Sequence, residues 1–202
     1  VDDAVVEKAI LDLAPETIER HLDLGTGTGR ILELLAGRTE HAQGVDLSRE
    51  MLAVARANLD SAGLSHCQVR QADITQLPFP AETFDLVTLH QVLHYLDDPV
   101  RAIDAATAMV RPGGMLLIID FAPHEEETLR RDHQHRRLGF SDAQAEAWLK
   151  SAGLTPRATR HLSGDPLTVT LWSAVKTPVA ANTDAAPVLT KPAAGRTLEN
   201  TV

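Results

Sequence analysis

The sequence holds one cysteine, Cys67, so it can form neither an internal disulfide nor a cysteine-based metal cluster. That usage suits a reducing cytosol, and a cytoplasmic location is expected. Long apolar runs are missing as well. The longest, MLLII at Met115–Ile119, falls far short of the ~20 residues that cross a membrane. No secretion signal is visible. Positive charge is scarce: 19 Lys and Arg against 28 Asp and Glu leave a formal net charge of -9. Nucleic acid is therefore not expected as this chain's direct partner. At 202 residues, 44% hydrophobic and 23% charged, the composition is that of one globular domain with a substantial core. The chain opens on Val1, not Met, which leaves room for an upstream portion.

What is present alternates. Helical spacing of apolar residues predicts a lead-in helix over Asp3–Leu13, within residues 1–20. LDLG reads as a strand running into a glycine turn, and RILELLAG as a helix closed by Gly37. QGVDL is a second strand, followed by the helix SREMLAVARANLDSAG, with Ser48 as its cap and Gly63 as its stop. CQVRQAD and FDLVTLH are the third and fourth strands. DPVRAIDAATAMVRPGG is a helix ended by Pro112 and its glycines, and MLLIIDF the fifth strand. Strands alternating with helices imply an α/β, doubly wound, mostly parallel sheet, with ligands at the carboxyl ends of the strands. After a charged connection, SDAQAEAWLKSAG predicts a helix, and RATRHL and LTVTLWSAV predict two adjacent strands turning at SGDP. Residues 21–176 form the predicted domain. From Thr177 to Val202 the chain is rich in Pro, Ala and Thr without periodicity and reads as a flexible tail.

The stretch HLDLGTGTGR, His21 to Arg30, carries the chemistry. A dinucleotide fingerprint needs G-x-G-x-x-G, but Arg30 stands where its third glycine belongs; a phosphate-cradling loop needs a Lys followed by Ser or Thr, which is absent. The pattern is instead Asp23 two residues ahead of Gly25, Gly27 and Gly29. Glycines after a strand often serve tight packing alone. Here further acids stand at successive strand tips: Asp46 in VDLS, where a carboxylate can accept ribose hydroxyls, and Asp73 in QADITQLPF, where an acid can take an adenine amine while Ile74 packs on the ring. Three acids and a glycine loop suit a nucleoside carrying an amino-acid tail.

This set resembles the class I S-adenosylmethionine-dependent methyltransferases over about Asp23 to Val175, through DLGTGTGR, GVDLSREML, QADITQLPF, FDLVTLHQVLHYLDDP and VRPGG. The resemblance implies a Rossmann-like seven-stranded sheet, mostly parallel with an antiparallel C-terminal hairpin. It implies S-adenosyl-L-methionine as cofactor and S-adenosyl-L-homocysteine as product. The backbone from Gly25 through Thr26 and Gly27 to Gly29 would approach the methionine moiety, with Asp23 on its ammonium. Asp46 and the following Leu47 would serve the ribose, Asp73 with Ile74 the adenine, and Met51 would pack on the ribose and adenine side. Leu89 and His90 would flank the sulfonium.

LHQVLHY after the fourth strand looks more like small-molecule methyltransferases than amino-methylating nucleic-acid enzymes, so a small-molecule acceptor is expected. The catalytic residue is left open among His90, His94, Asp120 and His133. Lining or capping a helix is the plainer role for the first two, and a solvated strand-end acid for Asp120. The insert PHEEETLRRDHQHRRLGFS offers Glu126–Arg130 and Glu127–Arg131 spacing for a salt-bridged helix. Its alternative role is a lid whose Arg130, His133, Arg136 and Arg137 meet an anionic group or a partner. His133 and His135 do not share a helix face, and no metal site is expected. FAPHEEETLRRDHQHRRLGFSDAQAEAWLKSAGL also resembles the methyltransferase half of bacterial ArsR-type regulators, which implies a DNA-binding half upstream of Val1. Such a domain would sense S-adenosylmethionine or S-adenosylhomocysteine without catalysis. A homodimer is also allowed.

Overall fold

Asp2 starts the first helix. Its Oδ1 accepts the Ala4 amide at 2.9 Å, filling one of the positions that a helix start leaves open. Helix α1 (Asp3–Leu13) buries Val6, Ala9 and Ile10 and stops ahead of Pro15, which disfavours helical backbone in the residue before it. The computed structural model describes residues 1–126 and 136–178. His133, the Glu126–Arg130 and Glu127–Arg131 pairs, Arg130, and the tail beyond Pro178 lie outside the described residues.

Strands β1 (Ile18–Leu24), β2 (Thr39–Asp46), β3 (Cys67–Gln71), β4 (Phe84–His90) and β5 (Val110–Phe121) are paired in parallel. β7 (Val169–Lys176) enters antiparallel between β5 and β6 (Leu154–Leu162). The sheet order is β3-β2-β1-β4-β5-β7-β6. The remaining helices are α2 (Arg30–Leu35), α3 (Arg49–Ser61), α4 (Pro99–Met109) and α5 (Asp142–Ser151). One sheet face, with Leu22, Leu24, Val87, Leu89, Leu116, Ile118 and Trp172, packs on Ala102, Ile103 and Ala106 of α4 and Leu149 of α5. The other, with Leu86, Leu117, Ile119 and Leu171, packs on Ile10 of α1 and Ile31 and Leu35 of α2.

β1 begins at Ile18, so the sheet starts inside the span 1–20 read as lead-in, and two helix ends also differ from the sequence reading. Gly37 does not close α2 in a left-handed conformation; α2 ends at Leu35, and residues Ala36–Arg38 add a 3-10 turn. The Thr39 hydroxyl donates to the Leu35 carbonyl at 2.9 Å and takes over the stopping role. The VRPGG run does not end α4 either. Asp98 caps α4, the helix finishes at Met109, and Val110 already pairs with Phe84. The register then skips from Phe84↔Val110 to Leu86↔Met115, so Arg111–Gly114 bulge out of the ladder with Gly113 at φ +80°. The expected caps elsewhere are present: Ser48 accepts the Met51 amide at the start of α3, and Gly63 follows its end at φ +70°.

The chain leaves β1 outward to β2 and β3, then returns to β4 on the other side of β1. Backbone groups at the carboxyl ends of β1 and β4 therefore diverge, and a crevice opens between them.

Candidate functional site

A cleft of about 460 Å³ occupies that crevice. Its first wall is the turn after β1. Gly25 and Thr26 both donate their amides to the Val45 carbonyl, at 2.8 and 2.9 Å, which bends the chain sharply off the sheet. Gly25, Gly27 and Gly29 all have positive φ, at +72°, +52° and +82°. A Cβ on Gly27 would meet nothing within 4 Å, so this is where the backbone presents bare surface to the cleft. Gly29 faces away, with its would-be Cβ 3.4 Å from Ala55 Cβ on α3, and serves the packing of the turn.

Acids frame the cleft. Asp46 takes the Gly27 amide on Oδ2 and the Ser48 amide on Oδ1, each at 2.9 Å. Asp23 is 1% exposed, and burial pushes its carboxyl up to about 6, against the pull of the Thr88 hydroxyl donating to it at 2.6 Å. Asp73 stands in an adjoining recess with Ile74 and Leu96. Thr75 donates its amide and hydroxyl to Asp73 Oδ1, at 2.7 and 2.8 Å, and these bonds hold its carboxyl below the usual range. Leu47, Met51 and Ile74 supply apolar surface. Met51 is 47% exposed, a large apolar side chain left without cover at the cleft's edge.

The remaining wall comes from the loop after β4, with His90, Gln91, Val92, Tyr95 and Leu96. Gln91 is held at φ 54°, unusual for a residue with a side chain, and its amide donates to the Ile119 carbonyl at 2.7 Å. Burial lowers the His90 imidazole's affinity for a proton, so it is neutral at pH 7.

Residues 22–118 match the family model described as a methyltransferase domain. The chain is 35% identical over 121 residues to a demethylmenaquinone methyltransferase of Clavibacter sepedonicus, spanning 60% of this chain and 49% of that one. It is 36% identical over 102 residues to a phosphatidylethanolamine N-methyltransferase of Cereibacter sphaeroides, 50% of each. The fold matches the N-methyltransferase NodS of Bradyrhizobium japonicum, solved with S-adenosyl-L-homocysteine, at a TM-score of 0.71 and 24% identity. That match covers 86% of this chain and 87% of NodS. Residues 22–118 are thus similar to a methyltransferase domain. It spans about half the length of the curated relatives it matches.

Of the residues expected at the cofactor, Asp23, Gly25, Thr26, Gly27, Asp46, Leu47, Met51, Ile74 and His90 line one cleft. Leu89 does not. It is fully buried on the α4 side of the sheet, because alternation along β4 turns it away from His90. Asp120 is not a solvated strand-end acid. It is fully buried and receives the Leu93 amide at 3.0 Å, the Phe121 amide at 2.8 Å and His94 Nδ1 at 2.8 Å. His94 is 1% exposed, lies against Tyr95 and Phe121, and is absent from the cleft wall. The pair fixes the turn that presents Tyr95. The Arg136 and Arg137 amides donate to the His94 carbonyl, and their side chains reach Asp97.

Sequence reasoning missed Thr28, Arg30, Ile31, Gln91, Val92, Tyr95 and Leu96. Arg30 registered only as an interruption of a glycine pattern; it lines the cleft and pairs with Glu7 of α1 at 2.5 Å. Thr28 and Ile31 flank it in the glycine turn and α2; Gln91, Val92, Tyr95 and Leu96 follow β4, and the strand-order reversal beside β1 was their available signal. Among the described residues no group of three His, Cys, Asp or Glu could hold a metal, and no helix is long and apolar enough to cross a membrane.

Proposed function

We propose that this chain transfers the methyl group of S-adenosylmethionine to a small molecule that approaches past His90 and Tyr95. The observation that carries it is the single cleft in which the bare Gly27 backbone, the Asp23 and Asp46 carboxylates and the neutral His90 imidazole meet. The residues fit the cofactor. Asp23 is a buried carboxylate for an ammonium, Gly25–Gly27 leave room for close approach, and Asp46 is anchored to present oxygen to vicinal hydroxyls. Asp73 and Ile74 offer an acid and an apolar surface to an adenine, with Met51 and Leu47 beside it. When bound, S-adenosylmethionine supplies a methyl group already activated by its sulfonium.

The protein then has two tasks. It aligns the acceptor, which is worth up to ~7–11 kcal/mol for a well-oriented reaction. It also accepts a proton where the acceptor is a hydroxyl or an ammonium, and neutral His90 on the cleft wall has the lone pair to do so. A small acceptor is supported by the chain's net charge of -9 and by relatives named for demethylmenaquinone and phosphatidylethanolamine.

The test is calorimetry with S-adenosylmethionine and S-adenosylhomocysteine, followed by transfer of a labelled methyl group to quinol, phenol and amine panels. Binding of both cofactor forms with turnover of one acceptor class, impaired in His90→Ala, is the expected result. Binding without turnover of any acceptor would turn the reading into a sensing domain, and no binding at all would overturn it.

A further inference from the structure

Behind the cleft lies a polar chain for which a hydrophobic sheet has no need. His21 and Asp23 on β1 and Thr88 on β4 point to the same face, and all three are buried to 1% exposure or less. Thr88 Oγ1 is 2.6 Å from Asp23 Oδ1 and 2.8 Å from His21 Nε2. A hydroxyl has one hydrogen and serves two neighbours here. If Asp23 is a carboxylate it can only accept, so Thr88 donates to it and His21 must donate through Nε2 to Thr88. If Asp23 is protonated it can donate to Thr88, Thr88 turns to donate to His21, and the imidazole must carry its proton on Nδ1. The direction of the whole chain thus follows the charge on Asp23. His21 itself stays neutral, since burial depresses it to about 3.

We propose that Thr88 and His21 are positioning residues for the cofactor's amino-acid end: aligned hydrogen bonds from His21 through Thr88 hold Asp23 as a carboxylate facing the ammonium. The inference rests on the proposed cofactor site. The Thr26 hydroxyl also lowers the Asp23 carboxyl, but less than Thr88 does. Asp46 on the tip of β2 repels a second negative charge, His90 on β4 lies in the same cleft and is neutral, and Glu7 of α1 is paired with Arg30 of α2. Without the donated hydrogen, burial leaves Asp23 protonated at a higher pH, and a protonated Asp23 must lose its proton before it can pair with an ammonium.

The decisive measurement is S-adenosylhomocysteine affinity against pH, by calorimetry, in the full chain. In the unaltered protein affinity is level above about pH 6 and falls about tenfold per pH unit below it. Thr88→Val and His21→Leu move that break to higher pH. Thr88→Ser, which keeps the hydroxyl, and His21→Gln, which keeps a donor near the Nε2 position, leave it in place. Thermal melts verify that each variant folds. Affinity that drops equally at every pH, or a break that stays put in both Thr88→Val and His21→Leu, overturns the proposal.

Carbon-13 NMR of the Asp23 carboxyl and nitrogen-15 NMR of the His21 ring, both without ligand, form the second arm. They should show an elevated carboxyl titration and, above it, a proton on Nε2. A ring proton on Nδ1 above that titration also overturns the proposal. If the unaltered protein fails to bind S-adenosylhomocysteine, the cofactor assignment falls, while the NMR titrations still decide the polarity of the chain.

Discussion

The Asp46 carboxylate holds the Gly27 turn closed. Its Oδ2 accepts the Gly27 amide and its Oδ1 the Ser48 amide, each at 2.9 Å, so one side chain ties the glycine turn to the start of α3. The acid at this strand tip therefore acts on the site before any ligand arrives. Asp46→Ala is expected to weaken S-adenosylhomocysteine binding by about 1–3 kcal/mol. Asp46→Asn should be nearly as damaging, because an amide has one acceptor where two backbone N–H groups need one each. Calorimetry on the two variants checks this. Near-normal affinity in Asp46→Asn would show that the double anchoring is dispensable.

Gly27 and Gly44 separate binding from folding. Gly27→Val adds a side chain where nothing stands within 4 Å, so the fold suffers only the strain of φ +52°, about 1–2 kcal/mol. The branches fill the cleft, and cofactor binding should be lost. At Gly44 on β2 a Cβ would stand 2.7 Å from Thr26 Oγ1 and 2.8 Å from Leu32 Cδ1. Gly44→Ala should therefore lower the melting temperature more than Gly27→Val does. The reverse ranking in thermal denaturation would contradict the placement of the glycine turn.

Asp23 sets stability against function. Its folded pKa of about 6 exceeds the ordinary 3.8, so its stabilising contribution is complete below pH 3.8 and disappears as pH rises through 6. His21 runs the other way: its contribution is complete above pH 6.5 and disappears as pH falls through about 3. Between pH 6 and 4 the two oppose each other and nearly cancel. Asp23→Asn removes one of them. The variant should be more stable than the parent at pH 7.5, by up to ~3 kcal/mol, hold that advantage down to about pH 6, and lose it at ~1.4 kcal/mol per pH unit from there to pH 4. Urea unfolding of both proteins across that range supplies the check. A constant difference would mean that Asp23 does not titrate in the fold.

The glycine turn and the acids at its flanks were legible because a strand, a turn and a helix start are encoded within about ten residues. Leu89 was misplaced for a physical reason. In a central parallel strand both faces are buried, so FDLVTLH shows no polar alternation to tell which side faces the cleft. Asp120 misled similarly, since its donors Leu93 and His94 lie 27 and 26 residues away in the chain. The seven strands were visible in the pattern. The bulge at Arg111–Gly114 was not, because Pro and two glycines signal a break in either a helix or a strand.

The C-terminal end of the charged insert tests which forces hold it down. Its charges are conspicuous, yet Arg136 and Asp97 are 59% and 77% exposed, and such a pair contributes at most about 1 kcal/mol. The anchors are apolar and conformational. Phe140 is 3% exposed, stands edge-on to Trp148 at 5.4 Å, and sends its amide to the Phe121 carbonyl at 2.9 Å. Gly139 sits at φ +82°, and a Cβ there would run into the Ala122 carbonyl oxygen. Asp97→Asn should thus change unfolding free energy by less than about 1 kcal/mol, whereas Phe140→Ala should remove about 3–5 kcal/mol. Gly139→Ala should fall between them or beyond, since it combines left-handed strain with a backbone collision that no rotamer relieves. Chemical denaturation of the three variants decides it. If Asp97→Asn proved as harmful as Phe140→Ala, this end of the segment would be held by charge.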